Sequence, residues 1–340
     1  MRVIEIEGSF GLDNLRLAER PEPEPGPGQV LVAMRAASLN YRDLMMVRGL
    51  YNPRQPLPLV PCSDGAGVVE AVGDGVTRVA PGDRVATLFS QSWMGGEPPP
   101  DGTRSTLGGP LDGALQEKMV LPERGVIRFP EHLSDVEAAC LPCAGLTAWS
   151  AVVTHGRITA GNTVLVLGTG GVSLFALQFA SALGARVIVT SSRDEKLERA
   201  RELGAAHGVN YRETPKWGRT VRELTGGRGV DLVVEVGGAG TLAQSLEAVR
   251  VGGTVAMIGV LSGPVSDLSV VPILMKSVRV QGILVGSREG FEGMSRAIEV
   301  NRIAPVVDSV RPFTEAKTAF ERMAAGEHFG KICLEIEEGR

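Results

Sequence analysis

Cysteine is scarce: Cys62, Cys140, Cys143 and Cys333 are the four in a chain of 340 residues. They lack the repeated CxxC spacing of a zinc module and are too few to staple a fold of this length. A disulfide scaffold is thereby excluded, and free thiols in a reducing cytoplasm are expected. Charge of one sign is missing too. With 35 basic against 39 acidic residues, a net charge of −4 and no Lys/Arg block, nothing marks a surface for nucleic acid or an anionic membrane. Long hydrophobic runs are also absent, none approaching the ~20 apolar residues that span a bilayer. The opening MRVIEIEGSFGLDN alternates apolar and polar residues like an edge strand and lacks the apolar stretch of a signal peptide. Together these absences point to a cytoplasmic protein.

What is present suits a folded chain of more than one domain. Hydrophobic residues at 43% and charged ones at 22% exclude disordered, collagen-like and coiled-coil classes. A length of 340 residues against ~150 per domain gives about two domains, with room for a cleft between lobes. The first third reads as β-rich: QVLVAMRAASLN, GAGVVEAVGDGV, PGDRVATLF and GALQEKMVL are apolar runs bounded by Gly, Pro and Asp. Between Phe89 and Gly113 a Gly/Pro-rich stretch without periodicity reads as a long surface loop.

From Asn162 onward the pattern changes. NTVLVLG, RVIVTSS, VDLVVEV, GTVAMIG and RVQGILVG are continuous apolar runs separated by helical stretches such as LFALQFASALG and DEKLERARELG. Continuous rather than alternating strands, each followed by a helix, indicate a parallel sheet covered on both faces, a doubly wound α/β domain. The last strand, KICLEIE, is expected to pair back into the N-terminal domain. The expected division is a β-rich domain of residues 1–143 completed by 287–340, with the α/β domain of 144–286 inserted.

Gly168-Thr169-Gly170-Gly171-Val172-Ser173 follows a strand and opens a helix, the context in which a glycine-rich turn holds a dinucleotide. Gly168 permits the tight turn, Gly170 lets the backbone approach a pyrophosphate, and the helix N-terminus adds N–H donors and a favourable dipole. An NAD-preferring site carries an acid about 20 residues past the first glycine to bond the ribose 2′-hydroxyl. Here Thr190-Ser191-Ser192-Arg193 stands there instead. Hydroxyls of Ser191 and Ser192 with the cations of Arg193 and Lys196 make a cradle for a 2′-phosphate, so NADPH is the expected cofactor. Solvated helix-start charges, with Asp194 beside them, are the plainer alternative for Arg193 and Lys196.

With LNYRD, GAGVVEAVG, PGDRV, LPCAGLTAW, GTGGVS and a final GKI in that order, the chain resembles the medium-chain dehydrogenase/reductase superfamily over essentially its whole length. It looks most like the zinc-independent, quinone oxidoreductase-like branch. The resemblance implies an α/β fold in which a GroES-like β-rich catalytic domain carries an inserted, doubly wound Rossmann domain. Where zinc-dependent alcohol dehydrogenases have Cys, His and Cys ligands, this chain has Asn40, Ser63 and Cys143, with Asp64 in place of the acid next to the lost His. The segment that should hold the structural zinc, Phe89 to Gly113, contains no Cys. No metal is therefore expected, and Cys143 reads as a small buried hydrophobe with a reactive thiol as the alternative.

Without zinc to polarise a simple carbonyl, the expected reaction is hydride transfer from NADPH to a quinone or to an alkene conjugated to a carbonyl. Such an acceptor already has an electrophilic carbon, and its oxygen needs only a hydrogen-bond donor and a proton. Asn40 and Tyr51, in SLNYRDLMMVRGLY, match the stretch that borders the nicotinamide in quinone and enoyl reductases. Tyr51 is either a proton donor that orients the carbonyl or a loop tyrosine on the rim; Asp43 reads as a helix cap or a partner of Arg42 or Arg48. The resemblance further places Thr147 and Val172 near the nicotinamide, Gly259, Val260, Leu284 and Val285 along its ribose and carboxamide, Tyr211 beside the adenosine phosphate and Lys331 near the pyrophosphate. Phe89 and Trp93 are candidates for an apolar substrate pocket. A homodimer is expected, through the last strand of the α/β sheet near Arg279 to Val285. An alcohol dehydrogenase of the same superfamily, and a nucleotide-binding sensor or structural protein without turnover, stand as the alternatives.

Overall fold

The computed structural model describes residues 1–263 and 267–337. The chain divides into two compact units, Met1–Ala144 with Ser287–Arg340, and Gly145–Gly286. In the first, β1 (Arg2–Ile6) and β2 (Leu15–Glu19) form a two-stranded antiparallel ladder. β3 (Gln29–Ser38), β4 (Asp64–Val72), β5 (Arg84–Thr87), β6 (Lys118–Pro122) and β7 (Val126–Arg128) follow, and the short helix α1 (Tyr41–Val47) leaves the end of β3. β3 and β4 are antiparallel along most of their length. At Gly67 a side chain would stand 2.2 Å from the Ala33 carbonyl oxygen, so only glycine lets the two strands close there.

The second unit is a six-stranded, wholly parallel sheet of β8 (Thr163–Leu167), β9 (Arg186–Ser191), β10 (His207–Asn210), β11 (Val230–Glu235), β12 (Val249–Met257) and β13 (Arg279–Gly282). Its order, β10-β9-β8-β11-β12-β13, is the doubly wound dinucleotide-binding arrangement, in which the chain reverses direction between β8 and β11. Helices α2 (Gly171–Ala182), α3 (Asp194–Glu202), α4 (Trp217–Leu224) and α5 (Leu242–Ala248) connect the strands. Every residue of β8 and β11 is buried, the property that makes them continuous rather than alternating apolar runs. Leu165, Ile188, Val233, Leu246 and Val255 belong to the resulting core, each contributing about 1.5–3 kcal/mol by leaving water.

The chain then returns to the first unit through α6 (Arg288–Asn301), β14 (Val307–Pro312), α7 (Ala316–Ala325) and β15 (Lys331–Glu335). β15 lies between β14, parallel, and β3, antiparallel, so the last strand closes a sheet begun by the N-terminal segment. Val32, Met34, Leu44, Phe313, Phe320 and Ile332 share that unit's core.

The expected surface loop from Phe89 to Gly113 is only partly one. Its second half, Thr106–Gly109 with Gly113, is buried. Side chains at Gly108 and Gly113 would meet backbone atoms of Cys62 at 2.8 and 2.1 Å. The glycines that make the segment look solvent-exposed are what let its backbone press against Cys62.

Candidate active site

In the first unit the Asn-x-x-Asp spacing acts as a lock at the start of α1. The Asn40 backbone N–H donates to Asp43 Oδ2 at 2.8 Å. The other oxygen of that fully buried carboxylate accepts from Ser63 N at 3.0 Å and Ser63 Oγ at 2.7 Å. Asp43 thus caps its helix, as expected, and also ties down the residue at the lost His position. Arg42 extends across the Tyr51 and Phe89 rings, 4.8 Å from each centroid, while donating to Leu107 O at 2.8 Å and Gly109 O at 3.0 Å. Tyr51 is 44% exposed, and its hydroxyl makes no hydrogen bond among the described residues. Phe89 is buried beneath Arg42. The Trp93 indole N–H donates to Gly96 O, and its carbonyl accepts from Arg288 N, so Trp93 anchors the start of α6.

Three groups gather around Asn40: Lys331, Asp64 and Cys143. Lys331, at the head of β15, donates to Leu39 O and Asn40 Oδ1, both at 2.6 Å. Asp64, at the head of β4, has one oxygen 3.9 Å from that ammonium and accepts from Cys143 N at 3.2 Å. Burial pushes the Asp64 carboxyl up to about 7, against the pull of Lys331. Burial also works against the Lys331 charge, but Asp64 and the nearby thiols outweigh it and hold the ammonium above the ordinary lysine value. Burial, reinforced by Asp64, raises the Cys143 thiol.

This donor set does not fit zinc. Of Asn40, Ser63 and Cys143, only Cys143 offers a strong zinc donor. The Ser63 hydroxyl is committed to Asp43, and the Asn40 oxygen to an ammonium whose charge would repel a second cation. Among the described residues no group of three or more His, Cys, Asp and Glu side chains is gathered for a metal.

In the second unit the glycine turn has the shape a pyrophosphate needs. Gly168 adopts φ +73°, and a side chain at Gly168 or at Gly170 would meet nothing within 4 Å. Gly170 caps α2, and no side chain caps the helix at that end, so its first N–H groups are available to a phosphate together with the helix dipole. Ser173, standing where the motif has its third glycine, donates its hydroxyl to Leu167 O at 2.7 Å, binding helix to strand.

At the far end of the same edge, Ser191 and Asn210 are partners across β9 and β10, and Tyr211 N donates to Ser191 O at 3.0 Å. This register sets Tyr211 beside Ser191; Ser192 follows in the chain, then Arg193 at the N-terminal boundary of α3 and Lys196 in its first turn. Asn210 Nδ2 donates to Asp194 Oδ1 at 2.9 Å. Thr147 is buried and Val172 half-buried. Leu284 is 40% exposed, and Val285 is held at φ +50°, a conformation costing a β-branched residue about 1–3 kcal/mol and typical of functional segments.

Glu235, unnoticed in the sequence, ends β11 with a fully buried carboxylate. It accepts from Gly237 N at 2.8 Å, Gly238 N at 3.0 Å, Thr241 Oγ1 at 2.6 Å and also Ser245 Oγ. Its backbone oxygen accepts from Ile258 and Gly259, and Ser262 bonds back to Gly237 O. The carboxylate therefore orders the loop that follows β11, while the backbone of the same residue holds the loop that carries Gly259 and Val260.

Residues 26–131 match the alcohol dehydrogenase GroES-like domain family and residues 171–299 the zinc-binding dehydrogenase family. A zinc-type alcohol dehydrogenase-like protein of Schizosaccharomyces pombe is 45% identical over 99% of both chains. A solved structure described as an NAD-dependent alcohol dehydrogenase is 35% identical, with a TM-score of 0.91, covering 99% of this chain and 100% of its own. Two mycobacterial structures, a quinone oxidoreductase and a protein complexed with NADPH, are each 30% identical, with TM-scores of 0.81 and 0.83, and cover 98% of this chain and 99% of theirs. Fold, glycine turn and relatives agree: the chain is an oxidoreductase belonging to the medium-chain dehydrogenase/reductase superfamily.

Proposed function

We propose that this chain is a zinc-independent, NADPH-dependent reductase of quinones or of alkenes conjugated to a carbonyl. The observation that carries the reading is the commitment of Asn40 to Lys331 and of Ser63 to Asp43, which leaves the position of the catalytic zinc without a competent ligand set. When bound, the nicotinamide supplies the hydride. Gly168, Gly170 and Gly171 would hold its pyrophosphate, Ser191, Ser192, Arg193, Lys196 and Tyr211 the adenosine phosphate, and Thr147, Val172, Gly259, Val260, Leu284 and Val285 the nicotinamide end. Asn40 and Tyr51 would hydrogen-bond the acceptor's oxygen, a stabilisation that grows as charge develops on it.

A homodimer belongs to the same reading. β13 ends the sheet order, with Val280 39% and Leu284 40% exposed beside it, an edge that an isologous pairing with a second copy would cover. A second reading, alcohol dehydrogenase, is favoured by the descriptions of several relatives. Screening NADPH oxidation against a quinone, an enone, an enoyl thioester and an aldehyde separates the two. Turnover of the first classes is expected, and turnover of the aldehyde alone would replace the proposal by the second reading.

A further inference from the structure

The parallel sheet of the second unit has a cavity at the end away from the glycine turn. It measures about 390 Å³, within the range of small-molecule sites, and lies at the amino ends of β8, β11 and β13, beside β12. Arg157, Arg250 and Arg279 line it, together with Asp231 and Thr254. Thr254 and Arg279 are partners across β12 and β13, which sets a hydroxyl beside a guanidinium. Asp231 is the one acid of the lining, and its carboxylate is already committed: it accepts from Arg228 at 2.7 and 3.1 Å, from Arg250 Nε at 2.6 Å and from Thr163 N at 2.8 Å. Arg279 donates through one terminal nitrogen to His155 O. The Arg157 guanidinium, by contrast, makes no hydrogen bond or ion pair among the described residues, and neither does the Thr254 hydroxyl. The lining is therefore cationic in excess. The His155 ring registers this, since burial, then Arg279 and Arg157, hold it below the ordinary histidine value. Arg157 itself is kept at φ +50°, a left-handed conformation uncommon outside glycine and asparagine, and at Gly252 a side chain would stand 3.3 Å from Arg250 Nη1.

We propose that this cavity is a second anion site that takes a phosphoryl group, either free phosphate or the phosphate of a small phosphorylated molecule. A phosphoryl dianion presents several acceptor oxygens and no need for a donor, the complement of a wall of guanidinium N–H groups. Arg157 brings an unused planar fork, Arg250 and Arg279 keep nitrogens beyond those given to Asp231, Val251 and His155, and the Thr254 hydroxyl can donate to one further oxygen. Arginine at all three positions suits the two-pronged grip on a tetrahedral oxyanion better than lysine would. The glycine turn lies at the other end of β8, whose five residues span about 16 Å at ~3.3 Å per residue, so a phosphoryl group here and a dinucleotide there occupy separate places. The site stands whether or not the reductase reading holds.

The test is isothermal titration calorimetry of the full chain, saturated with NADPH so that the cofactor cleft is filled, with inorganic phosphate, glycerol 3-phosphate and citrate as separate titrants at constant ionic strength. One phosphate probe per chain is expected to bind. Tighter binding of glycerol 3-phosphate supports a phosphorylated molecule as the occupant, equal or tighter binding of inorganic phosphate supports the free ion, and citrate bound as tightly as either overturns the phosphoryl assignment. Arg157→Gln breaks no side-chain bond of the folded chain; it should raise the phosphate-probe Kd about tenfold or more, as expected for charge-assisted contacts, and Thr254→Val about threefold, as for a neutral one. Arg157→Lys, which keeps the charge, should lose less than Arg157→Gln, and the NADPH Kd should stay within about twofold of the parent in all three, because the cofactor lies elsewhere. Should Arg157→Gln melt below the parent, Thr254→Val carries the test, weaker binding supporting the site and unchanged binding opposing it. A parent that binds neither phosphate probe, or one whose binding survives Arg157→Gln intact, overturns the assignment. Binding abolished by Arg193→Ala but kept by Arg157→Gln places the phosphate in the cofactor cleft and overturns it equally.

Discussion

The guanidinium of Arg42 lies over the ring of Tyr51, 4.8 Å from its centroid, fixing the ring while its hydroxyl stays unbonded among the described residues. A cation–π contact of this kind is worth ~0.5–1 kcal/mol at an exposed ring, enough to favour one ring orientation. If the hydroxyl donates the proton, Tyr51→Phe lowers enone reduction by ~10²-fold or more. Quinone reduction, whose product can take its proton from water, falls less. Steady-state rates on the two acceptors decide it; equal, small losses on both would make Tyr51 a packing residue.

NADPH is expected to bind at least tenfold more tightly than NADH, a difference of about 1.4 kcal/mol. In the proposed site Arg193, next to Ser191 and Ser192 in the chain, would supply the charge. Titration of both cofactors into the parent and into Arg193→Ala checks this. The variant should lose NADPH affinity selectively, and equal affinities in the parent would reject the preference.

Glu235 predicts a stability effect. Glu235→Ala leaves two backbone N–H groups and two hydroxyls without their acceptor, at about 1–3 kcal/mol for each donor left buried and unpaired. A clear fall in Tm is expected, smaller for Glu235→Gln, because the loop that follows β11 loses its tie. Unchanged melting of Glu235→Ala would mean that this loop holds itself.

Sedimentation at micromolar concentration should give about twice the 36 kDa expected for one chain of this composition. Charged substitutions at Val280 and Leu284 should shift the mass towards that of the monomer. A monomeric parent would leave the β13 edge unexplained.

The fold was legible wherever burial leaves a mark on composition. β8 and β11 are buried on both faces and read as unbroken apolar runs, and the glycine turn stood out because it joined such a strand to a helix. β10 escaped notice because His207 and Gly208 interrupt its four residues, so its pairing with β9 carries it rather than its own apolar content. α4 was equally silent as a short, charged helix. In the candidate site, the spacing of Asn40 and Asp43 made their helix cap visible. The roles of Asp64, Lys331 and Glu235 were not visible. Asp64 and Lys331 are single polar residues at strand ends whose partners come from distant segments, whereas Glu235 is held by nearby backbone N–H groups and hydroxyls whose order carries no recognisable motif.

The most direct test of the central claim compares enone reduction by NADPH with benzyl alcohol oxidation by NADP⁺, both measured in the presence of a zinc chelator. On the proposed reading, in which Asn40, Ser63 and Cys143 hold no catalytic zinc, enone or quinone reduction should persist undiminished and alcohol oxidation should be negligible beside it. Chelator-sensitive alcohol oxidation at a rate comparable to the best reductive rate would contradict the account and identify a zinc alcohol dehydrogenase.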